Sequence, residues 1–208
     1  MVEKMNSSLR LKVCGITRLE DALLASSLGV DALGFIFYKK SPRYIDPKDA
    51  QNIIQQLPPF ITVVGLFVNP TQQEVDETLT QCALDVLQFH GDETPEFCAQ
   101  QSKRVIKAVA ISEANDLDMV QAFDCSVLLD AKAPDGVYGG TGTSFDWSML
   151  AGLNHTHPLI LAGGIDSENI ARAKQVKGLY ALDVSSGVES AKGIKDKQKM
   201  IELCEKFC

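Results

Sequence analysis

Residues 11–17 read LKVCGIT. Leu11, Val13 and Ile16 make a short apolar run, with an amine at Lys12 and a thiol at Cys14 inside it and Gly15 just after. The run has the length and composition of a buried strand. Seven more of the same kind follow: ALGFIF (32–37), TVVGLFV (62–68), VLQFHG (86–91), VIKAVA (105–110), SVLLDA (126–131), LILAGG (159–164) and ALDVSS (181–186). Their starts lie 21, 30, 24, 19, 21, 33 and 22 residues apart.

The stretches between them can form helices. RLEDALLASSLG carries Leu19, Leu23, Leu24 and Leu28 on one helical face and stops at Gly29. TQQEVDETLTQC starts with Thr71 and Glu74 at capping-box spacing. DSENIARAKQ offers Asp166 or Ser167 as N-cap, and IKDKQKMIELCEKF closes the chain as a helix carrying Ile194, Met200, Ile201 and Leu203. Eight strands alternating with helices fit a closed (β/α)8 barrel or an open doubly wound sheet. The open dinucleotide fold expects G-x-G-x-x-G after its first strand, and CGITRL does not supply it. The count of eight favours an α/β TIM barrel, one compact domain over residues 1–208 with 1–10 as an N-terminal extension. The 33-residue gap holds the glycine-rich APDGVYGGTGTSFDW, which reads as a functional loop covering a site.

Composition narrows the function. Hydrophobic residues make up 45% and charged residues 23%, the balance of a globular domain. A net charge of −7 argues against a nucleic-acid partner. The six cysteines form no CxxC pair and no zinc-like spacing with His90, His155 or His157, so no metal site is expected. No secretory h-region and no apolar run of about 20 residues is present, so neither export nor a membrane is expected. The expectation is a cytoplasmic protein with free thiols.

In a barrel, active groups gather at the C-terminal ends of the strands. Three of those ends carry reactive groups: Cys14, His90 and Asp130. Side chains alternate along a strand, so Lys12 lies one layer below Cys14, and Gln88 points with His90. Asp183 lies at comparable depth on strand eight, which neighbours strand one in a closed barrel. A buried amine needs a partner, so a Lys12–Asp183 pair is expected. That cation would favour a Cys14 thiolate. Asp130 is a candidate acid, and an acid and a base in one pocket suit an isomerisation. AGGIDSEN places Gly163 and Gly164 before a helix, and VSSGVES adds Ser185, Ser186 and Gly187. Together they suggest a phosphate site on strands seven and eight. Simpler roles exist for each residue: core filling for Cys14, a loop cap for Asp130, a turn contact for His90 and a solvated charge for Arg43.

KVCGIT, DALGFIF followed by SPRYI, VVGLFVN, LQFHGDE, LLDA followed by GGTGTSFDW, LAGGI and DVSSGVE occur in this order from residue 11 to about 190. As an ordered set they resemble the phosphoribosylanthranilate isomerase family. The resemblance implies a (β/α)8 barrel of tryptophan biosynthesis. It also implies an Amadori rearrangement of N-(5-phosphoribosyl)anthranilate to 1-(2-carboxyphenylamino)-1-deoxyribulose 5-phosphate, with no metal and no cofactor. Carried onto matching positions, it implies Cys14 as general base, Asp130 as general acid and Arg43 as the holder of the anthranilate carboxylate. Gly163, Gly164, Ser185 and Ser186 would surround the phosphate, with His90, Asp183 and Gly187 completing the substrate contacts. Rival readings are a histidine-pathway isomerase, a pentose-phosphate epimerase and a non-catalytic phosphate-ligand sensor. Cys14 at the first strand end, the lack of histidines at other strand ends and the presence of both acid and base count against them in turn. The sequence leaves monomer and homodimer both open.

Overall fold

The computed structural model describes residues 9–132 and 145–208. Eight parallel strands close on themselves in the order β1 to β8. They are β1 (Arg10–Cys14), β2 (Ala32–Ile36), β3 (Thr62–Phe67), β4 (Val86–Phe89), β5 (Arg104–Ile111), β6 (Ser126–Ala131), β7 (Leu159–Leu161) and β8 (Leu179–Val184). Each falls on one of the eight apolar runs. Strand β1 begins at Arg10, inside the stretch read as an extension, because Arg10 registers with Ala181 of β8. The same seam sets Lys12 opposite Asp183 and closes the barrel.

Every strand is buried on both faces, which is why the runs read as nearly continuous apolar stretches. Alternate residues divide into two populations. Val64, Val86, Ile106, Ala108, Leu128, Ile160, Ala162 and Ala181 fill the barrel interior. Cys14, Ile36, Leu66 and Val68 pack together nearer the strand C-termini. The opposite faces, with Leu11, Leu33, Phe35, Leu87, Phe89, Leu129 and Leu161, meet the surrounding helices in the main core.

The helices follow the sequence unevenly. In α1 (Leu19–Ser27) the buried face is Asp21, Ala22 and Ala25, while Leu23 is 40% exposed. Of the expected leucine face, Leu19, Leu24 and Leu28 pack partly buried against the core and only Leu23 turns away. Asp21 turns inward because Arg18 pairs with it at 2.7 Å and the Lys195 N–H donates to it. Helix α2 spans Pro47–Ile54, and α3 (Gln72–Gln81) starts with the expected Thr71–Glu74 capping box. Helix α4 (Pro95–Ala99) is short. After β5 the connection is a 3-10 segment, Ala114–Ala122. Its entry is tightened by Asp116, whose carboxylate accepts from the backbone of Ser112 and Glu113.

Helix α5 is one turn, Ile170–Ala173, preceded by Asn169. Asp166 does not cap it directly but holds the turn before it, accepting from the N–H groups of Glu168 and Asn169. Ile194 lies outside the last helix. A small hairpin, β9 (Glu189–Ala191) and β10 (Ile194–Lys195), turns at Gly193, and α6 (Lys197–Phe207) starts only after the Asp196 cap. Most of the glycine-rich loop expected to cover the site, residues 133–144, lies outside the described residues, as do residues 1–8 of the extension.

Candidate active site

The closed seam brings Lys12 Nζ to 2.9 Å from Asp183 Oδ1, with both side chains buried. Burial disfavours the Lys12 charge, but the charges of Asp183 and Cys14 outweigh it and leave its pKa raised. The contact is an ion pair. Burial also pushes the Asp183 carboxyl upward, and Asp130 adds to the push, while Lys12 and His90 pull it down.

Cys14 ends β1 and is 4% exposed. Its neighbour on β2 is Gly34, and a side chain there would meet the Cys14 sulfur at 2.8 Å and Lys12 Nζ at 3.2 Å. Only glycine leaves room for both groups. Burial pushes the Cys14 thiol above its ordinary value; Lys12 and Lys195 pull it down without cancelling the rise. The expected help from Lys12 is present, but desolvation is the larger effect and leaves the thiol raised.

Asp130 lies one residue before the end of β6, and His90 just beyond β4. His90 Nε2 stands 3.1 Å from Asp130 Oδ2, and the other oxygen accepts from the Ala131 N–H at 2.9 Å. Gly163, with φ of 86°, packs so close that a side chain would stand 3.0 Å from Asp130 Oδ1 and 2.8 Å from the Ala131 nitrogen. The second residue after β7 is thus glycine for both conformation and space.

The two expected phosphate-side loops touch. A side chain at Gly187 would sit 2.0 Å from the Ile165 carbonyl. Asn169 Nδ2 donates to the Gly164 carbonyl at 2.7 Å, which holds the glycine turn. Ser186 opens a 3-10 turn, Ser186–Val188. The Ser185 hydroxyl is engaged inside the protein, donating to the Cys14 carbonyl at 3.1 Å.

Arg43 is 5% exposed rather than a solvated loop charge. Its Nε and one terminal nitrogen donate to the two oxygens of Glu189, both at 2.8 Å. Lys195 Nζ completes the cluster at 2.9 Å from Glu189 Oε1 and also donates to the carbonyls of Cys14 and Ser185. One buried ammonium therefore links the end of β1, the β8 loop and, through Glu189, the Arg43 guanidinium. Sequence reasoning missed Glu189 and Lys195. Glu189 closes the DVSSGVE block, but nothing in that spacing tells that the chain turns back at Gly193 to bring Lys195 beneath it. The Lys107–Glu93 pair was also missed. At 3.0 Å and buried, it clamps the turn after His90, with Lys107 Nζ donating to the Gly91 carbonyl.

A thiol, a carboxyl with its imidazole, and an arginine converge on the C-terminal mouth of a single-chain (β/α)8 barrel, the layout of an isomerase that moves protons on an anionic substrate. Residues 11–206 match the model of N-(5'-phosphoribosyl)anthranilate (PRA) isomerase, and the chain belongs to that family. It is 48% identical over 196 residues to an N-(5'-phosphoribosyl)anthranilate isomerase of Geobacter metallireducens, covering 94% of this chain and 96% of the relative. A relative of the same name from Pseudomonas syringae pv. tomato is 50% identical over 200 residues, with 94% and 95% covered. The crystal structure of phosphoribosyl anthranilate isomerase from Thermotoga maritima superposes with a TM-score of 0.88 at 41% identity, covering 95% of this chain and 98% of that one. A phosphoribosyl anthranilate isomerase in complex with reduced 1-(o-carboxyphenylamino)-1-deoxyribulose 5-phosphate matches at 0.84 and 37% identity, over 95% and 97% of the two chains.

Proposed function

We propose that Cys14 and Asp130 are the base and acid of the family's Amadori rearrangement, converting N-(5'-phosphoribosyl)anthranilate to 1-(2-carboxyphenylamino)-1-deoxyribulose 5-phosphate. The observation that carries this reading is geometric: Cys14 ends β1 above the buried Lys12–Asp183 pair, and Asp130, against His90, stands at the same end of β6 in one closed barrel.

Asp130 protonates the ribose ring oxygen as the bond from C1 to that oxygen breaks, leaving a protonated Schiff base with the aniline nitrogen. The Cys14 thiolate then removes the C2 proton and an enolamine forms. Tautomerisation then adds a proton at C1 while the C2 hydroxyl loses one, which delivers the ketone, and the proton taken up by Cys14 is released as Asp130 is reprotonated from water. The reacting form of Cys14 is the thiolate, which Lys12 and Lys195 favour against burial. Arg43, aimed by Glu189, takes the anthranilate carboxylate. Gly163, Gly164, Ser185, Ser186 and Gly187 take the phosphate, while His90 and Asp183 border the sugar. Anchors at both ends hold C2 toward the sulfur and the ring oxygen toward Asp130.

Every group in this scheme comes from one chain, so a monomer suffices for chemistry. A homodimer is compatible with it, and one Thermotoga maritima relative is described as dimeric. The whole chain acts as one catalytic domain on a phosphosugar, with no nucleic-acid partner. No helix among the described residues is long and apolar enough to cross a membrane. Six free cysteines and a biosynthetic family support a cytoplasmic location.

Fluorescence of freshly made phosphoribosylanthranilate follows its consumption directly. Cys14→Ala and Asp130→Asn should each lower kcat by about 10²–10⁴ or more with the fold intact. Near-wild-type kcat in either variant would remove that residue from its role.

A further inference from the structure

We propose that Gln88 is a positioning residue for the isomerisation, fixing His90 in the tautomer whose Nε2–H donates to Asp130. This rests on the reading of Asp130 as the acid. Gln88 lies on β4, fully buried, two residues before His90 and on the same side of the strand. Its amide nitrogen stands 3.1 Å from His90 Nδ1. With the amide in this orientation its nitrogen donates, so Nδ1 is the acceptor and carries no proton. The ring proton is then on Nε2, 3.1 Å from Asp130 Oδ2. With the Ala131 N–H on its other oxygen, both donors stand ready to stabilise the carboxylate that Asp130 becomes once it has given its proton to the ring oxygen.

A second observation separates this role from ordinary packing. Among the described residues, Gln88 Oε1 is a buried acceptor with no hydrogen-bond partner. Turning the amide over would strand its NH2 group instead and face an oxygen toward Nδ1. Leu66 and Ile106 register on either side of Gln88 in the barrel wall. An apolar side chain of similar length would suit that setting better, since a stranded buried carbonyl is unfavourable. What glutamine supplies and an apolar residue does not is the donor to His90. The turn after His90 is fixed independently, with the Gly91 N–H donating to Glu93 at 2.9 Å, so Gln88 governs the ring rather than the backbone.

The test is Gln88→Met in the full chain, read three ways. The chain has only 3 histidines, so 15N spectra of the labelled protein resolve His90 once His155 and His157 are assigned by substitution. The wild type should show His90 protonated on Nε2. The variant should show a mixture of tautomers, a kcat lowered about tenfold or more with KM little changed, and a Tm equal to or above wild type. Gln88→Glu, which can only accept at that position, should drive a proton onto Nδ1, and it serves if the methionine variant does not fold. The proposal is overturned by a wild-type His90 protonated on Nδ1, by an unchanged tautomer in the variants, or by kcat within about twofold of wild type. A kcat that falls only in step with Tm also overturns it. If the wild type does not consume phosphoribosylanthranilate, the acid–base reading fails, while the tautomer measurement still judges Gln88.

Discussion

Glu189→Ala would leave Arg43 and Lys195 as two buried cations with no carboxylate between them. Their side chains are 7% and 0% exposed, and that of Glu189 is 5% exposed. Removing one member of a buried ion pair costs about 3–5 kcal/mol. In a chain of this size each kcal/mol moves Tm by about 2–4 °C, so Tm should fall by about 6–20 °C. Urea unfolding should show the same loss as a lower midpoint with an unchanged slope. Adding Arg43→Ala should cost less in the Glu189→Ala background than alone, with a coupling of about 1 kcal/mol or more.

Activity supplies an independent measure. Arg43 without its bidentate partner is no longer aimed, so KM should rise about tenfold, equivalent to about 1.4 kcal/mol of binding, with a smaller change in kcat. Arg43→Ala should raise KM at least as much. The pH dependence has a defined sign. Burial raises the Glu189 carboxyl, but Arg43 and Lys195 outweigh it and leave it below its ordinary 4.5. A folded-state pKa below the unfolded one stabilises the protein above about pH 4.5, and that stabilisation is lost as pH falls through the folded value. The Tm of Glu189→Ala should therefore lack this part of the wild-type acid decline. A Tm shift under about 2 °C together with an unchanged KM would refute the claim that one carboxylate holds both cations.

Two further perturbations address Cys14 as the proposed base. Gly34→Ala would place a methyl 2.8 Å from the Cys14 sulfur, and the displaced thiol should cost up to about a hundredfold in kcat; a loss under about threefold would show that β2 yields freely. Burial raises the Cys14 thiol above its ordinary 9.0, so its alkylation by iodoacetamide in the free protein should still be climbing at that pH, whereas a plateau near neutrality would mean that Lys12 and Lys195 prevail.

Much of the site was readable because strand periodicity converts sequence position into direction. Cys14, His90 and Asp130 fall at strand ends, and two-residue alternation put Lys12 below Cys14 and Gln88 beside His90. The Lys12–Asp183 pair followed from one assumption, that β8 lies beside β1, and the closed barrel meets it. Elsewhere local pattern was a weaker guide. Three of the four α1 leucines pack on the core, but the deepest polar residue of that helix, Asp21, is buried by Arg18 and Lys195, which the leucine pattern does not show. The helix expected from DSENIARAKQ shrank to a turn, because Asp166 and Asn169 hold its start in a loop that serves Gly164.

By itself, the sequence determined the number of barrel strands, their approximate positions, the family and the candidate groups at the strand ends. These depend on local chemistry and on periods of two or about three and a half residues, which a linear text records. Only the tertiary structure decided the electrostatic state of those groups. It set the sum of burial and two cations at Cys14, the carboxylate shared by Arg43 and Lys195, and the contact of Gln88 with His90. Those outcomes depend on distances between distant segments and on how much water each group loses, and both exist only once the barrel has closed.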